Sequence, residues 1–284
     1  MIIFKKKGEL TRFLAGEKRK KAHVGLVATM GALHEGHMAL IRSSRSENDL
    51  TICSIFVNPA QFNNSEDYSN YPVKTGEDLK LLESAGCDVV FLPDYREMYE
   101  NDPGTHLSFN FGKIETVCEG KFRPGHFNGV GLIVSKLFNT ISPDRAYFGQ
   151  KDLQQVALIR KLIADLCYPV DLRIIPTVRE SDGLALSSRN LRISAPDRPK
   201  AAILYNSLLK AKKLLREGSS VDTIKKIIGN LFENEPIFRL EYLELVHAES
   251  FEVMQVFDKQ SYLAFCIAAW CRNIRLIDNI LINE

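Results

Sequence analysis

Two histidines three residues apart, His34 and His37, close the run Thr29-Met30-Gly31-Ala32-Leu33-His34-Glu35-Gly36-His37. The run follows a short apolar stretch, residues 24–29 (VGLVAT), and opens an amphipathic one at 38–47. A turn from strand into helix leaves backbone N–H groups without partners, and such groups suit a phosphate. Gly31 and Gly36 allow the backbone to approach a ligand closely. Imidazoles at this spacing share one side of a first helical turn, where they can donate hydrogen bonds to phosphate oxygens as charge develops. A bare His-x-x-His also fits a surface turn or half of a metal site. Its place between strand and helix, beside two glycines, favours the phosphate reading.

A second run, Phe148-Gly149-Gln150-Lys151-Asp152-Leu153-Gln154-Gln155, makes the same passage. Gly149 permits a tight turn, Lys151 can reach a phosphate, and Asp152 suits an N-cap. Gln155 stands one helical turn beyond Lys151, so both can face one pocket. Plain capping for Asp152 and a solvated Lys151 are the alternatives. In Leu186-Ser187-Ser188-Arg189-Asn190, hydroxyls and a guanidinium can close over a triphosphate, Arg offering bidentate contacts; such a run is also an ordinary linker. Asn58-Pro59-Ala60-Gln61-Phe62 offers neutral amides for a polar, uncharged part of a substrate, or is a plain turn. Arg123-Pro124-Gly125-His126-Phe127-Asn128-Gly129 joins a loop to a helix start.

These turns need elements to hold them. Residues 24–29, 50–57 (LTICSIFV), 87–92 (CDVVFL), 145–148 and 171–175 read as strands, and 38–47, 76–85, 130–141 and 153–166 as helices. Strands that are apolar nearly throughout, alternating with helices, predict an α/β fold: a parallel sheet with helices on both faces. Ligands bind beyond the C-terminal ends of such strands, where the candidate turns lie. After Pro176 the chain becomes polar. Helices at 201–216 and 221–232 and strands at 240–246, 262–269 and 274–280 then predict a smaller C-terminal α+β domain. The expected domains are 1–177 and 178–284.

The chain has 284 residues, 45% of them hydrophobic, which is enough for a sizeable core. Lys plus Arg number 37 and Asp plus Glu 35, a net charge of +2 that argues against a broad basic face for nucleic acid. No apolar run reaches the roughly 18 residues of a membrane-spanning helix, and the apolar start of MIIFKKKGEL is too short for a signal-peptide core. The six cysteines, at 53, 87, 118, 167, 266 and 271, form no C-x-x-C pair and no cluster with zinc spacing, so no metal site is expected. A reducing, cytoplasmic setting is expected.

Taken in order, TMGALHEGH, FVNPAQF, the Asn70-Tyr71-Pro72 step, FRPGHFNGVG, FGQKDLQQ and LALSSRN make the chain resemble the pantothenate synthetase (pantoate–β-alanine ligase) family. The match runs from the first strand to about Ser194; the last ~90 residues match loosely. HxGH and SSR alone resemble the signatures of the wider nucleotidylyltransferase and class I aminoacyl-tRNA synthetase superfamily. The resemblance implies a Rossmann-like sheet and a smaller lid domain carrying the SSR loop. It implies ATP-dependent joining of (R)-pantoate to β-alanine through a pantoyl adenylate, releasing AMP and diphosphate. By position it assigns Met30, Gly31, Ala32, Leu33, His34, Glu35, Gly36, His37, Gly149, Gln150, Lys151, Asp152, Val178, Leu186, Ser187, Ser188 and Arg189 to ATP. His37, His34 and Lys151 carry the catalytic roles. Gln61, Gln155, Asn58 and His126 fall to pantoate, and Gln61 also to β-alanine. Mg²⁺ is expected to arrive on the ATP phosphates, with no tightly bound cofactor, and a homodimer is implied.

Two positions depart from the family pattern, Ala28 where Pro is usual and Leu186 where Met is usual. Both are expected to be tolerated, since Ala28 only removes a φ restraint and Leu186 keeps volume and apolarity. None of the matched side chains is an obvious strong base for the β-alanine amine, so positioning is expected to dominate and the rate to rise with pH. A nucleotidyltransferase for a phosphorylated acceptor is the nearest rival; it should place cations where Gln61 and Gln155 stand. A non-enzymatic binding protein with a decayed site should have lost the histidines or Lys151.

Overall fold

Residues 24–29 and 50–55 carry few polar side chains, and both become strands buried on each face. The structure, a computed structural model, describes residues 1–99 and 107–283. In chain order its elements are β1 (Ile2–Phe4), α1 (Lys7–Arg19), β2 (Val24–Thr29), α2 (Glu35–Glu47), β3 (Leu50–Ile55), α3 (Ser65–Ser69), α4 (Thr75–Ser84), β4 (Val89–Phe91), α5 (Tyr95–Tyr99), α6 (Cys118–Phe122), α7 (His126–Ile141), β5 (Arg145–Gly149), α8 (Leu153–Asp165) and β6 (Asp171–Ile175). There follow α9 (Ile203–Arg216), α10 (Val221–Glu233), β7 (Phe238–His247), β8 (Leu263–Cys271) and β9 (Ile274–Leu281), with short 3₁₀ turns between several of them. The chain divides into two units. Met1–Phe111, Arg123–Gly149 and Leu158–Pro176 form the first; Gly112–Phe122, Gln150–Ala157 and Thr177–Glu284 form the second.

The first unit holds a six-stranded sheet in the order β1-β4-β3-β2-β5-β6, every pairing parallel. Val24 lies opposite Leu50 and Thr29 opposite Ile55, so β2 and β3 end together. From β2 the chain runs outward through β3 to β4, while β5 pairs with the other side of β2. That reversal is where open α/β sheets take ligands. Val27, Ile41, Cys53, Leu82, Val90 and Tyr147 anchor one face of the core. Gly25 is required under α2: a Cβ there would lie 2.2 Å from Ser44 Oγ and 2.6 Å from Asn48 Nδ2.

The short helices α3, α5 and α6 are not expected from the sequence, and the second unit takes in 112–122 and 150–157, which lie before the expected boundary at 177. Three other differences have a local physical reason. β1 pairs Ile2 with Val89 at the sheet edge, with Ile2 and Ile3 nearly half exposed, so three residues gave too little pattern to read. α1 has no side-chain cap and fully buries only Leu10 and Leu14, a stripe too narrow to stand out among Lys, Glu and Arg. α7 begins at His126 because Gly125, left-handed at φ 78°, turns the chain into the helix there.

The second unit holds the antiparallel sheet β7-β8-β9. The helices α9 and α10 cover its core of Leu208, Ile224, Phe232, Leu245, Phe265 and Ile267. Segment 112–122 is tied to this sheet by charge. Arg275 donates to both oxygens of Glu119 at 2.6 Å and from Nε to Glu241 at 2.8 Å; Tyr242 and Trp270 complete the cluster by donating to Glu119 and Glu241. Burial pushes the pKa of the Tyr242 hydroxyl well above its usual value. No described helix is long and apolar enough to cross a membrane. All six cysteines are free thiols, and only Cys167 is exposed.

Candidate active site

In the first unit, the turn after β2 is built around a buried carboxylate. Thr29 Oγ1 donates to the Ser54 carbonyl at 2.7 Å and accepts from Gly31 N–H at 3.3 Å. Gly31 and Ala32 are both left-handed, at φ 81° and 49°. Asp78 of α4, 2% exposed, accepts from Ala32 N–H at 3.0 Å and from Leu33 N–H at 2.7 Å. His34 is the N-cap of α2, and it forms a reciprocal box with His37. His34 Nδ1 accepts from Gly36 N–H and His37 Nδ1 from His34 N–H, each at 3.2 Å, with the ring centroids 4.1 Å apart.

Much of what the sequence offered to a phosphate as free backbone N–H is therefore engaged within the protein. What the turn presents instead is imidazole. Each Nδ1 accepts an N–H, so each neutral ring carries its proton on Nε2 and is a donor there.

The turn after β3 forms a buried amide network. Asn58, 1% exposed, donates to Gln61 Oε1 at 3.0 Å and to the Gly129 carbonyl at 3.1 Å; its own oxygen accepts from Tyr99 at 2.6 Å and from Ala60 N–H at 3.3 Å. Burial raises the Tyr99 pKa far above the usual phenol value. His126 Nδ1 donates to the Gln61 carbonyl at 2.7 Å, and Arg123 donates to its Nε2 at 3.1 Å. Gly129 lets α7 rest on this turn, since a Cβ there would lie 2.2 Å from the Ala60 carbonyl oxygen. Gln61 Nε2 points at Met30 Sδ, 3.1 Å away. A thioether is a weak acceptor, so a substrate oxygen can take its place. Asn58 and His126, expected on pantoate, are both placed against Gln61 and hold it.

In the second unit, residues 150–152 form one 3₁₀ turn leading into α8. Lys151 Nζ lies 3.4 Å from Asp152 Oδ1. The neighbouring Gln154 is buried and structural, donating to the carbonyls of Ile114 and Val117 and accepting from Glu119 N–H. Gln155 is half-buried. Val178 and Leu186 face each other across a hairpin, Leu186 N–H donating to the Val178 carbonyl at 3.0 Å, with Arg179 bridged to Ala185. Ser187 Oγ accepts from Arg189 N–H and caps the 3₁₀ turn that holds Ser188 and Arg189. Among the described residues no group of three or more His, Cys, Asp or Glu is placed to hold a metal ion.

Sequence reasoning missed Asp78, Tyr99, Arg179, Asp278 and Asn279. Each looks like an ordinary polar residue of a helix, loop or strand, and the partner that gives it its place is 41 to 128 residues away.

The family model for pantoate–β-alanine ligase matches residues 2–281. The chain belongs to that family. Pantothenate synthetase from Cytophaga hutchinsonii is 44% identical over 275 residues, 96% of each chain. That from Thermoanaerobacter is 44% identical over 285 residues, 100% of this chain and 99% of its own. The crystal structure of pantothenate synthetase from Thermus thermophilus matches with a TM-score of 0.92 at 39% identity over all of both chains. The ligase from Francisella tularensis, complexed with β,γ-ATP and β-alanine, matches with a TM-score of 0.79 at 33% identity, covering 100% of this chain and 98% of its own.

Proposed function

We propose that this ligase-family chain condenses (R)-pantoate with β-alanine using ATP, through a pantoyl adenylate, and releases AMP and diphosphate. One observation carries the choice of acceptor. Gln61, a buried neutral amide held by Asn58, reaches Met30 of the histidine turn. The side chain beside that turn is thus an amide and not a cation, which fits a hydroxy acid and not a phosphorylated acceptor.

In the first step the pantoate carboxylate attacks the α-phosphorus and diphosphate leaves. The Nε2–H donors of His34 and His37 and the Lys151 ammonium are assigned to the charge that develops on the phosphates. Gly149–Asp152, Val178 and the Leu186–Arg189 segment are assigned to the rest of ATP, with Mg²⁺ carried on its phosphates and no other cofactor. Gln61 and Gln155 orient pantoate, Asn58 and His126 act by fixing Gln61, and Gln61 also meets β-alanine. In the second step the neutral β-alanine nitrogen attacks the acyl carbon, loses one proton, and AMP departs. Positioning supplies most of this acceleration. We assign residues 1–177 to nucleotide and pantoate binding and 178–284 to the lid domain carrying the SSR segment, in a cytoplasmic homodimer. Ala28 and Leu186 are compatible with this; the 186-to-178 hydrogen bond is made by backbone atoms alone.

Pantoate labelled with ¹⁸O in its carboxylate tests the reading. Adenylation delivers one labelled oxygen to AMP. Unlabelled AMP, or ADP and labelled phosphate, would contradict it.

A further inference from the structure

We propose that Asn279 is a positioning residue for Lys151; Asp278 beside it pairs with Arg179 of the hairpin leading to Ser187–Arg189. The inference rests on the role given above to Lys151.

β9 alternates between buried and half-buried residues until Asp278 and Asn279, which are both buried, at 3% and 2% exposure. Two adjacent buried polar residues in an apolar strand are costly unless fully hydrogen-bonded. Here both are, and their partners are the two turns assigned to ATP. Asn279 donates both amide hydrogens, to the carbonyls of Gln150 and Lys151, at 2.9 Å each. The turn that bears Lys151 is thereby held at two successive peptide units. A lysine is a point charge on a flexible four-carbon stem, so its reach to a fixed phosphate depends on where its backbone is held.

Asp278 receives a two-pronged pair from Arg179, at 2.6 and 3.0 Å. Arg179 also donates to the carbonyls of Gly183 and Asn279, at 3.1 and 3.2 Å, and lies 3.9 Å over the Tyr205 ring. Gly183 is left-handed at φ 93°, and a Cβ there would lie 2.3 Å from that ring. The 178–186 hairpin is thus clamped at its base and tip. A buried ion pair adds little net stability over well-packed apolar side chains. Position is what this cluster supplies: two neighbouring residues of one strand set both turns.

The test is a double-mutant cycle read by calorimetric titration of Mg-ATP into the unmodified protein, Asn279→Ala, Lys151→Ala and the double variant. Asn279→Ala is expected to weaken ATP about tenfold, the worth of one or two neutral hydrogen bonds. On the Lys151→Ala background the same change is expected to cost less than about twofold, because Asn279 acts through Lys151. Asn279→Ser, which keeps one donor, should recover part of the loss. Equal losses on both backgrounds overturn the proposal. So does a fall in melting temperature of more than about 10 °C with ATP affinity of the folded protein unchanged, which marks a purely structural role. Titration does not need pantoate turnover, so a protein that binds ATP but releases no pantoate-dependent diphosphate would sink the ligase reading and leave this one standing on its own data.

Discussion

Asp78→Asn tests whether the histidine turn is preorganised by its carboxylate. The carboxylate accepts two backbone N–H groups, at 3.0 and 2.7 Å, in a site only 2% exposed. Hydrogen bonds to a charged acceptor contribute about 1.5–3 kcal/mol each. Asparagine keeps one acceptor and turns an N–H toward the other donor, so one bond is lost and one buried N–H is left unsatisfied. Relaxation recovers part of that, leaving about 2 kcal/mol against the bound conformation. Ala32, a non-glycine at φ 49°, adds a further drive to relax, since left-handed backbone costs about 1 kcal/mol there. Removing a negative charge acts in the opposite sense, favouring an anionic ligand by under about 1 kcal/mol at solvent-screened range. The loss of geometry wins. Steady-state pantoate-dependent ATP–diphosphate exchange is expected to show KM for ATP raised about 5- to 30-fold, with the melting temperature lowered by a few degrees by the bonding that relaxation does not recover. Hydrogen exchange at the amides of residues 32 and 33 should speed up in step. A KM that stays level or falls, with those amides still protected, would show that charge outweighs position and that Asp78 does not preorganise the turn.

Three further outcomes follow from the same geometry. Gly129→Ala forces a methyl against the Ala60 carbonyl, 2.2 Å from where its Cβ must sit; thermal unfolding should show about 1–3 kcal/mol lost, and KM for pantoate should rise more than KM for ATP. At pH 8 a maleimide should label one thiol of the native chain, Cys167, and six after denaturation. Burial pushes Cys87 up to about 11, so at pH 8, below that value, about one in a thousand of its thiols is ionised, and labelling of Cys87 ahead of Cys167 would contradict the fold. The single-turnover reaction of pantoyl adenylate with β-alanine should quicken about tenfold per unit from pH 7 to 9, because the attacking amine has a solution pKa near 10 and must be neutral; a flat profile would reveal a base other than the residues assigned to the site.

What was legible in the sequence was the part carried by local pattern. β2 and β3 are buried on both faces, so they read as unbroken apolar runs, and the turns that follow them could be located to the residue. β1 and α1 were not legible, the first because three half-exposed residues carry no period and the second because two leucines make its whole buried face. The polar supports were hidden for a different reason. Asp78 stands beside Glu77 in a helix first turn and looks like any dipole-favoured acid, while its partners are 45 and 46 residues away. Asn279 lies 128 residues from Lys151. Local periodicity reports burial; it does not report which distant backbone atom a buried polar group will meet. For the same reason the expectation of free backbone N–H groups at the histidine turn needed the structure to show that Asp78 holds two of them.

Diphosphate release from Mg-ATP and (R)-pantoate, followed with and without β-alanine, decides whether pantoate is the acceptor. Continuous release is expected only when both substrates are present, with AMP formed in step, and release capped near one equivalent per site when β-alanine is omitted. A folded protein that binds ATP yet releases no diphosphate in response to pantoate would contradict it.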